Sequence, residues 1–105
     1  AWLREEAGAP WFAVVSLEPP HPPYAAPAAG VAPRTIVPPE SVPASARERA
    51  ARELSGYYAH LEATDRAIGR LIATMPAETI VVVTSVHGDM HGAHGLFRKG
   101  WPHEE

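Results

Sequence analysis

No cysteine occurs among the 105 residues, which removes disulfides, thiolate metal sites and cysteine nucleophiles from the chain and leaves its redox compartment open. Positive charge is not in excess either. Nine Lys and Arg against twelve Asp and Glu give a net charge of −3, so no basic field is present to attract nucleic acid or anionic lipid. No apolar run approaches the roughly 20 residues of a membrane span, and no signal peptide is visible. A sequence that starts without Met leaves export, and localisation generally, unread. One long stretch also lacks any sequence able to hold regular structure. Residues 19–43 carry nine of the twelve prolines among small side chains, which rules out a persistent helix and a central strand. Loops this long inside a compact domain are functional or disordered.

What remains fits one small domain at most, and a chain of this length buries only about 60–65% of its unfolded surface. Ala1-Trp2-Leu3-Arg4 reads as mid-protein, and Trp101-Pro102-His103-Glu104-Glu105 adds no closing element. The chain is therefore expected to be an internal segment of a larger domain.

Two short apolar, β-branched runs flank a helical pattern. Phe12, Val14, Val15 and Leu17 mark a strand at about 11–17, stopped by Pro19-Pro20. Thr79-Ile80-Val81-Val82-Val83-Thr84 marks a second at about 79–85, and both read as strands buried on two faces. Between them, Ala50, Leu54, Tyr57, Tyr58, Leu61, Ile68, Leu71, Ile72 and Met75 recur at helical spacing. The spacing predicts a helix over about 45–75, with Ser45-Ala46-Arg47-Glu48 as a capping box and Pro76 as its stop. Arg47, Arg49, Arg52, Arg66 and Arg70 alternate with Glu48, Glu53, Glu62 and Asp65 as a solvated face with i,i+4 partners. Of the two helix glycines, Gly69 is the one expected to allow close packing on a sheet.

Strand, helical crossover, strand is a βαβ unit with parallel strands and a right-handed connection. The residues just past each strand, His21 and His87, then lie at one carboxyl edge of the sheet. That edge is where open α/β folds place ligands.

The chemistry concentrates in Thr84-Ser85-Val86-His87-Gly88-Asp89-Met90-His91-Gly92-Ala93-His94-Gly95. Histidine supplies metal ligands and proton-transfer groups, and glycine lets the backbone approach an ion. A zinc module built from His87, His91 and His94 is one reading. His-x-x-x-His unites its rings only on a helix, however, and Gly88, Gly92 and Gly95 oppose one. His21 sits among Pro19, Pro20, Pro22 and Pro23, which fix its backbone; an exposed histidine in a polyproline segment is the simpler local reading. Lys99 is a compact positive charge beside the glycine loop, suited to an anion or to plain solvation. Tyr57 and Tyr58 read as packing residues.

Four elements in order resemble the sulfatase family of the alkaline phosphatase superfamily: Val14-Val15-Ser16-Leu17-Glu18-Pro19-Pro20-His21-Pro22-Pro23-Tyr24; Tyr57-Tyr58-Ala59 with Asp65-Arg66-Ala67-Ile68-Gly69-Arg70; residues 79–96; and Lys99 with Pro102-His103-Glu104-Glu105. The resemblance implies an α/β fold, here part of an alkaline-phosphatase-like sandwich with 86–105 as the active-site loop. It implies a sulfate ester substrate, a divalent cation of the calcium type, and a formylglycine nucleophile elsewhere in the parent protein. It further implies that His21 contacts the sulfate or leaving group, that Lys99 neutralises a sulfate oxygen, and that His87 ligates the metal. Ser41-Val42-Pro43-Ala44-Ser45 is not the Cys/Ser-x-Pro-x-Arg nucleophile element, since Ser45 stands where arginine is required. The chain also departs from the family at Val86, where the metal-binding dipeptide is Asp-His or Asp-Asn. Valine offers no oxygen; Asp89 lies three residues away. A pseudoenzyme of the same fold and a phosphonate or phosphate ester hydrolase are the alternatives.

Overall fold

The computed structural model of the chain describes residues 10–24 and 31–102. Residues 25–30 of the Pro-rich stretch and 103–105 of the final loop, which the sequence reading included, lie outside the described residues.

Helix α1, Arg47–Ile72, is the long element, and a 3-10 turn at Ala44–Ala46 feeds it. The expected capping box does not form. No side chain caps the helix start; the Ala46 N–H bonds the Pro43 carbonyl at 2.9 Å, so the tight turn satisfies backbone groups that Ser45 was expected to serve. Glu48 pairs with Arg52 at 3.5 Å instead. The i,i+4 pattern holds for Arg49–Glu53, Arg52–Glu48 and Arg66–Glu62. Arg47 departs from it and donates to the carbonyls of Pro38, Pro39 and Val42. Its guanidinium ties the Pro-rich segment to the helix start with a fork of donors that no other side chain offers.

The apolar stripe of α1 divides in two. Its first half meets the Pro-rich segment and the glycine loop, giving a small core of Tyr24, Val31 and Val42, Ala50, Leu54 and Ala59, and Met90 and Ala93. Its second half is covered less, with Leu61, Ile68 and Leu71 half-buried and Ile72 exposed, although Arg34 of the Pro-rich segment pairs with Glu62 at 2.7 Å. After Ile72 the chain leaves through turn bonds from Thr74 to Leu71 and from Met75 to Ile72, just ahead of Pro76.

Small residues decide how closely these segments approach. A Cβ at Gly56 would overlap the Tyr24 carbonyl, whereas one at Gly69 would meet open space. Close packing thus belongs to Gly56 and not, as expected, to Gly69. Both glycines look alike in the helix pattern; only the return path of the segment ending at Tyr24 separates them.

The two apolar runs are uncovered chain without regular secondary structure. Phe12 is 87% and Ile80 90% exposed, and Val14, Val82 and Val83 are exposed with them. Among the described residues no backbone hydrogen bond joins residues 12–17 to 80–83, and no strand is assigned. The Cα radius of gyration is 17.3 Å, against about 13 Å for a compact domain of this length. Apolar surface is therefore left over that this chain does not bury on itself.

Gly56→Ala and Gly69→Ala are expected to act in opposite directions, followed by urea unfolding at 222 nm. Gly69→Ala gains about 0.5–1 kcal/mol from helix propensity. Gly56→Ala loses about 2 kcal/mol or more, because the Tyr24 backbone must be pushed away from the helix. Equal effects at the two sites would disprove the close approach.

Candidate functional site

His21 lies in an exposed turn. Its N–H bonds the Glu18 carbonyl at 3.0 Å and its ring Nδ1 is 2.9 Å from the Pro22 carbonyl. His87 is exposed with Nδ1 2.7 Å from the Gly88 carbonyl, and Lys99 is exposed just past the glycine loop. Hydrogen bonds, ion pairs and ring contacts join no two of these three among the described residues. Nor do His87, His91 and His94 converge, since no group of three potential ligands gathers among the described residues.

The glycine loop closes on itself. Met90 N–H bonds the Arg98 carbonyl at 3.2 Å and Gly92 N–H bonds the Leu96 carbonyl at 2.7 Å. A 3-10 turn at Ala93–Gly95 sits at the tip. Positive φ recurs at His91, Gly92, His94, Gly95, Arg98 and Gly100. At Gly92 the need for glycine is double: φ is +94°, and a Cβ would sit 2.9 Å from Ala50 Cβ. His91, His94 and Arg98 pay for the left-handed backbone without that freedom, so the surroundings must hold them there.

The His94 N–H bonds the Ser41 carbonyl at 3.1 Å, and His91 and Arg98 are held by a knot of polar side chains around Asp89, whose side chain is only 9% exposed. Its Oδ2 accepts from the Tyr24 hydroxyl at 2.7 Å. Its Oδ1 accepts from the His91 N–H at 2.9 Å and the Arg98 N–H at 3.1 Å. The Arg98 guanidinium reaches across to Glu53 on α1, donating from Nη1 to Oε2 and from Nη2 to Oε1 (3.3 Å). Arg49 braces Glu53 at 2.9 Å and stacks 3.7 Å above the Phe97 ring. His91 fits among aromatic rings, 4.4 Å from Tyr57 and 5.2 Å from Tyr24 between centroids.

Electrostatics follow from these contacts. Burial pushes the Asp89 carboxyl up, but the His91 N–H, the Tyr24 hydroxyl, the His91 ring and the Arg98 N–H together hold it below its ordinary value. Glu53 behaves alike: burial opposes, and the hydrogen bonds and charges of Arg98 and Arg49 prevail, leaving it lowered. Tyr24 is pushed up by burial and then by Asp89. Burial drives the His91 ring down, outweighing the charges of Asp89 and Glu53. Both ring nitrogens are buried without a hydrogen-bond partner, and Asp89 Oδ1 is 3.6 Å from Nδ1.

These contacts test the residues against a calcium site. A hard cation wants several oxygen ligands. The Val86 side chain supplies none and the residue is 97% exposed, and Asp89 has both oxygens engaged by Tyr24, His91 and Arg98. His87 is left as a lone imidazole. The described residues of this chain do not fit a calcium site.

Sequence reading placed Glu53 on the solvated face and gave Arg98 no role. One signal was present: Glu53 lies three residues after Ala50 and four before Tyr57, within the apolar stripe, where a carboxylate needs a cation.

The family model described as Sulfatase matches residues 1–105. The chain is similar to an ulvan-active sulfatase of Formosa agariphila, 42% identical over 101 residues that cover 83% of this chain and 19% of that protein. It is also similar to an arylsulfatase of Clostridium perfringens, 38% identical over 58 residues, 50% of this chain and 12% of that protein. The chain thus spans less than a fifth of the length of these curated relatives. No solved structure matches it.

His91 sets a pH dependence whose sign can be worked out. The ring accepts a proton less readily folded than unfolded, so the unfolded chain binds more protons once pH falls below about 6.5. Stability is expected to decline from there downward, and further near the carboxylate range as Asp89 protonates. His91→Asn tolerates the left-handed backbone and does not titrate. Urea unfolding at pH 5 and 7.5 should give a smaller difference for His91→Asn than for the parent; an equal difference removes His91 as the cause.

Proposed function

The chain belongs to the sulfatase family, and from that premise we propose that it forms one part of a sulfate ester hydrolase domain whose remaining segments lie outside these residues. The observation that carries this reading is the family match across residues 1–105. The uncovered runs at 12–17 and 80–83 support it, since strands apolar on both faces belong in the middle of a larger sheet. In the proposed arrangement the two runs pair in parallel within an alkaline-phosphatase-like sandwich. Their carboxyl ends then bring His21 and His87 to one edge, with Lys99 beside them.

The chemistry assigned to this chain is charge stabilisation. As the ester bond breaks, negative charge grows on the leaving oxygen and on the sulfuryl oxygens. The His21 imidazole, held by flanking prolines, contacts the leaving group or sulfate and can give it a proton. The Lys99 ammonium pairs with a sulfuryl oxygen. The nucleophile, a formylglycine by family likeness, lies in another segment. His87 is the one residue here proposed to face a divalent cation. No step is derived through that ion, because the described residues do not fit its site. The relatives' names point to ulvan and aryl sulfates as the esters to test first.

A second reading is favoured by one residue. Val86 leaves the cation short of an oxygen ligand, as in a copy of the fold that binds without turning over. An intact Cys/Ser-x-Pro-x-Arg element in the preceding segment favours the enzyme; a degraded one favours the binding protein.

Purified alone, the 105 residues are expected to release no sulfate from p-nitrophenyl sulfate or ulvan. Within the complete domain, His21→Ala and Lys99→Ala should each lower kcat by about 10²-fold or more. Turnover by the isolated chain, or full activity in both variants, contradicts the assignment. Val86→Asp should tighten calcium binding in the complete domain by calorimetric titration, and an unchanged affinity argues against a metal role for this loop.

A further inference from the structure

The three residues assigned to the sulfate site make no contact with one another, yet each is tethered to the same polar knot. Tyr24 follows His21 by three residues, Asp89 follows His87 by two, and Arg98 directly precedes Lys99. At about 3.3–3.6 Å per residue, those tethers limit the Cα separations to about 11, 7 and 4 Å. The first tether is also stiff, and the other two are very short. Pro22 and Pro23 fix φ between His21 and Tyr24, a single residue (Gly88) separates His87 from Asp89, and nothing separates Arg98 from Lys99.

We propose that Tyr24, Asp89 and Arg98, anchored on Glu53 of α1, are positioning residues that set where His21, His87 and Lys99 stand relative to one another. The hydroxyl of Tyr24 brings the Pro-rich segment to Asp89 at 2.7 Å, and the Arg98 N–H brings the far end of the glycine loop to the same carboxylate at 3.1 Å. The guanidinium of Arg98 then fixes the assembly to the helix through Glu53. Gly56 lets the Tyr24 backbone reach α1, and the T-shaped contact of Tyr24 with Tyr57, 5.6 Å between centroids, holds its ring. None of the knot residues touches the ester in this scheme. They act by fixing backbone, and a displacement of about 1 Å in a reacting group can cost about 10²-fold in rate.

The inference rests on the sulfatase reading, so its test carries one readout that does not depend on turnover. In the complete domain, Tyr24→Phe removes one hydroxyl and keeps the ring. Its kcat with p-nitrophenyl sulfate and with ulvan is expected to fall about 10-fold or more, with KM changed less than about threefold. Tyr24→Phe combined with Asp89→Asn should lose no more than the worse single variant, as expected of groups acting as a unit. Arg52→Ala, which breaks only the exposed pair with Glu48, serves as control and should leave kcat unchanged. Unchanged kcat in Tyr24→Phe, or additive losses in the double variant, overturns the positioning role and leaves the sulfatase reading intact. If the parent domain hydrolyses neither ester, the sulfatase reading fails, and crystal structures decide the positioning claim alone. A shift of about 1 Å or more of His21 relative to His87 and Lys99 in Tyr24→Phe upholds it; superimposable positions overturn it.

Discussion

A carboxylate removed from water must be compensated by hydrogen bonds and opposite charge, and among the described residues that requirement falls hardest on Asp89. Its donors come from the Pro-rich segment, from the beginning of the glycine loop and from its end. Satisfying one side chain therefore brings three stretches of chain together. The strained backbone of the loop depends on the same bonds. His91, His94 and Arg98 hold positive φ at a cost of order 1–3 kcal/mol each, a conformation that persists only where its ends are tied. Asp89 bridges residues 91 and 98 from within, and the backbone bonds from Met90 to Arg98 and from Gly92 to Leu96 close the rest.

Helix α1 could be read from the sequence because its signals are local: apolar spacing, good helix formers and alternating charge. Its start moved inward from Ser45 because the Pro43 carbonyl took up a backbone donor, a contact that side-chain pattern does not encode. The knot could not be read. Tyr24 and Asp89 are separated by 65 positions, and Arg98 and Glu53 by 45, so nothing in the local composition of either partner names the other. Only Glu53, set inside the apolar stripe, hinted at a buried cation partner. His21, His87 and Lys99 could be picked out as residue types in unusual surroundings. Their proposed convergence depends on pairing of the two runs, which is non-local, and no backbone hydrogen bond joins those runs among the described residues.

Membership of a family fixes expectations for the fold more firmly than for any single side chain. Val86 shows the difference. It has no packing role within these residues, being almost fully exposed, and it offers no donor to a cation. Nor can a neighbour take over. Freeing Asp89 for a metal would strip Tyr24, His91 and Arg98 of their acceptor and release the loop that carries His87 and Lys99. Position 86 thus has no local substitute among the described residues, and in the proposed cation site the remaining oxygen ligands come from other segments.

The uncovered runs at 12–17 and 80–83 place the missing stabilisation in the same quarter. Side chains such as Phe12, Val14, Ile80 and Val82 each gain about 1.5–3 kcal/mol on full burial, and in this chain they gain almost none of it. The Asp89 knot ties the loops that follow the two runs, but none of its bonds reaches the runs themselves, whose apolar side chains stay exposed. Two constraints of different kind therefore act on neighbouring stretches of chain. Polar bonds among the described residues set the loop positions, while the proposed sheet pairing would bury the runs from which those loops depart. Under the proposed arrangement, placement of His21 and His87 depends on both, which couples assembly of the site to burial of the two runs.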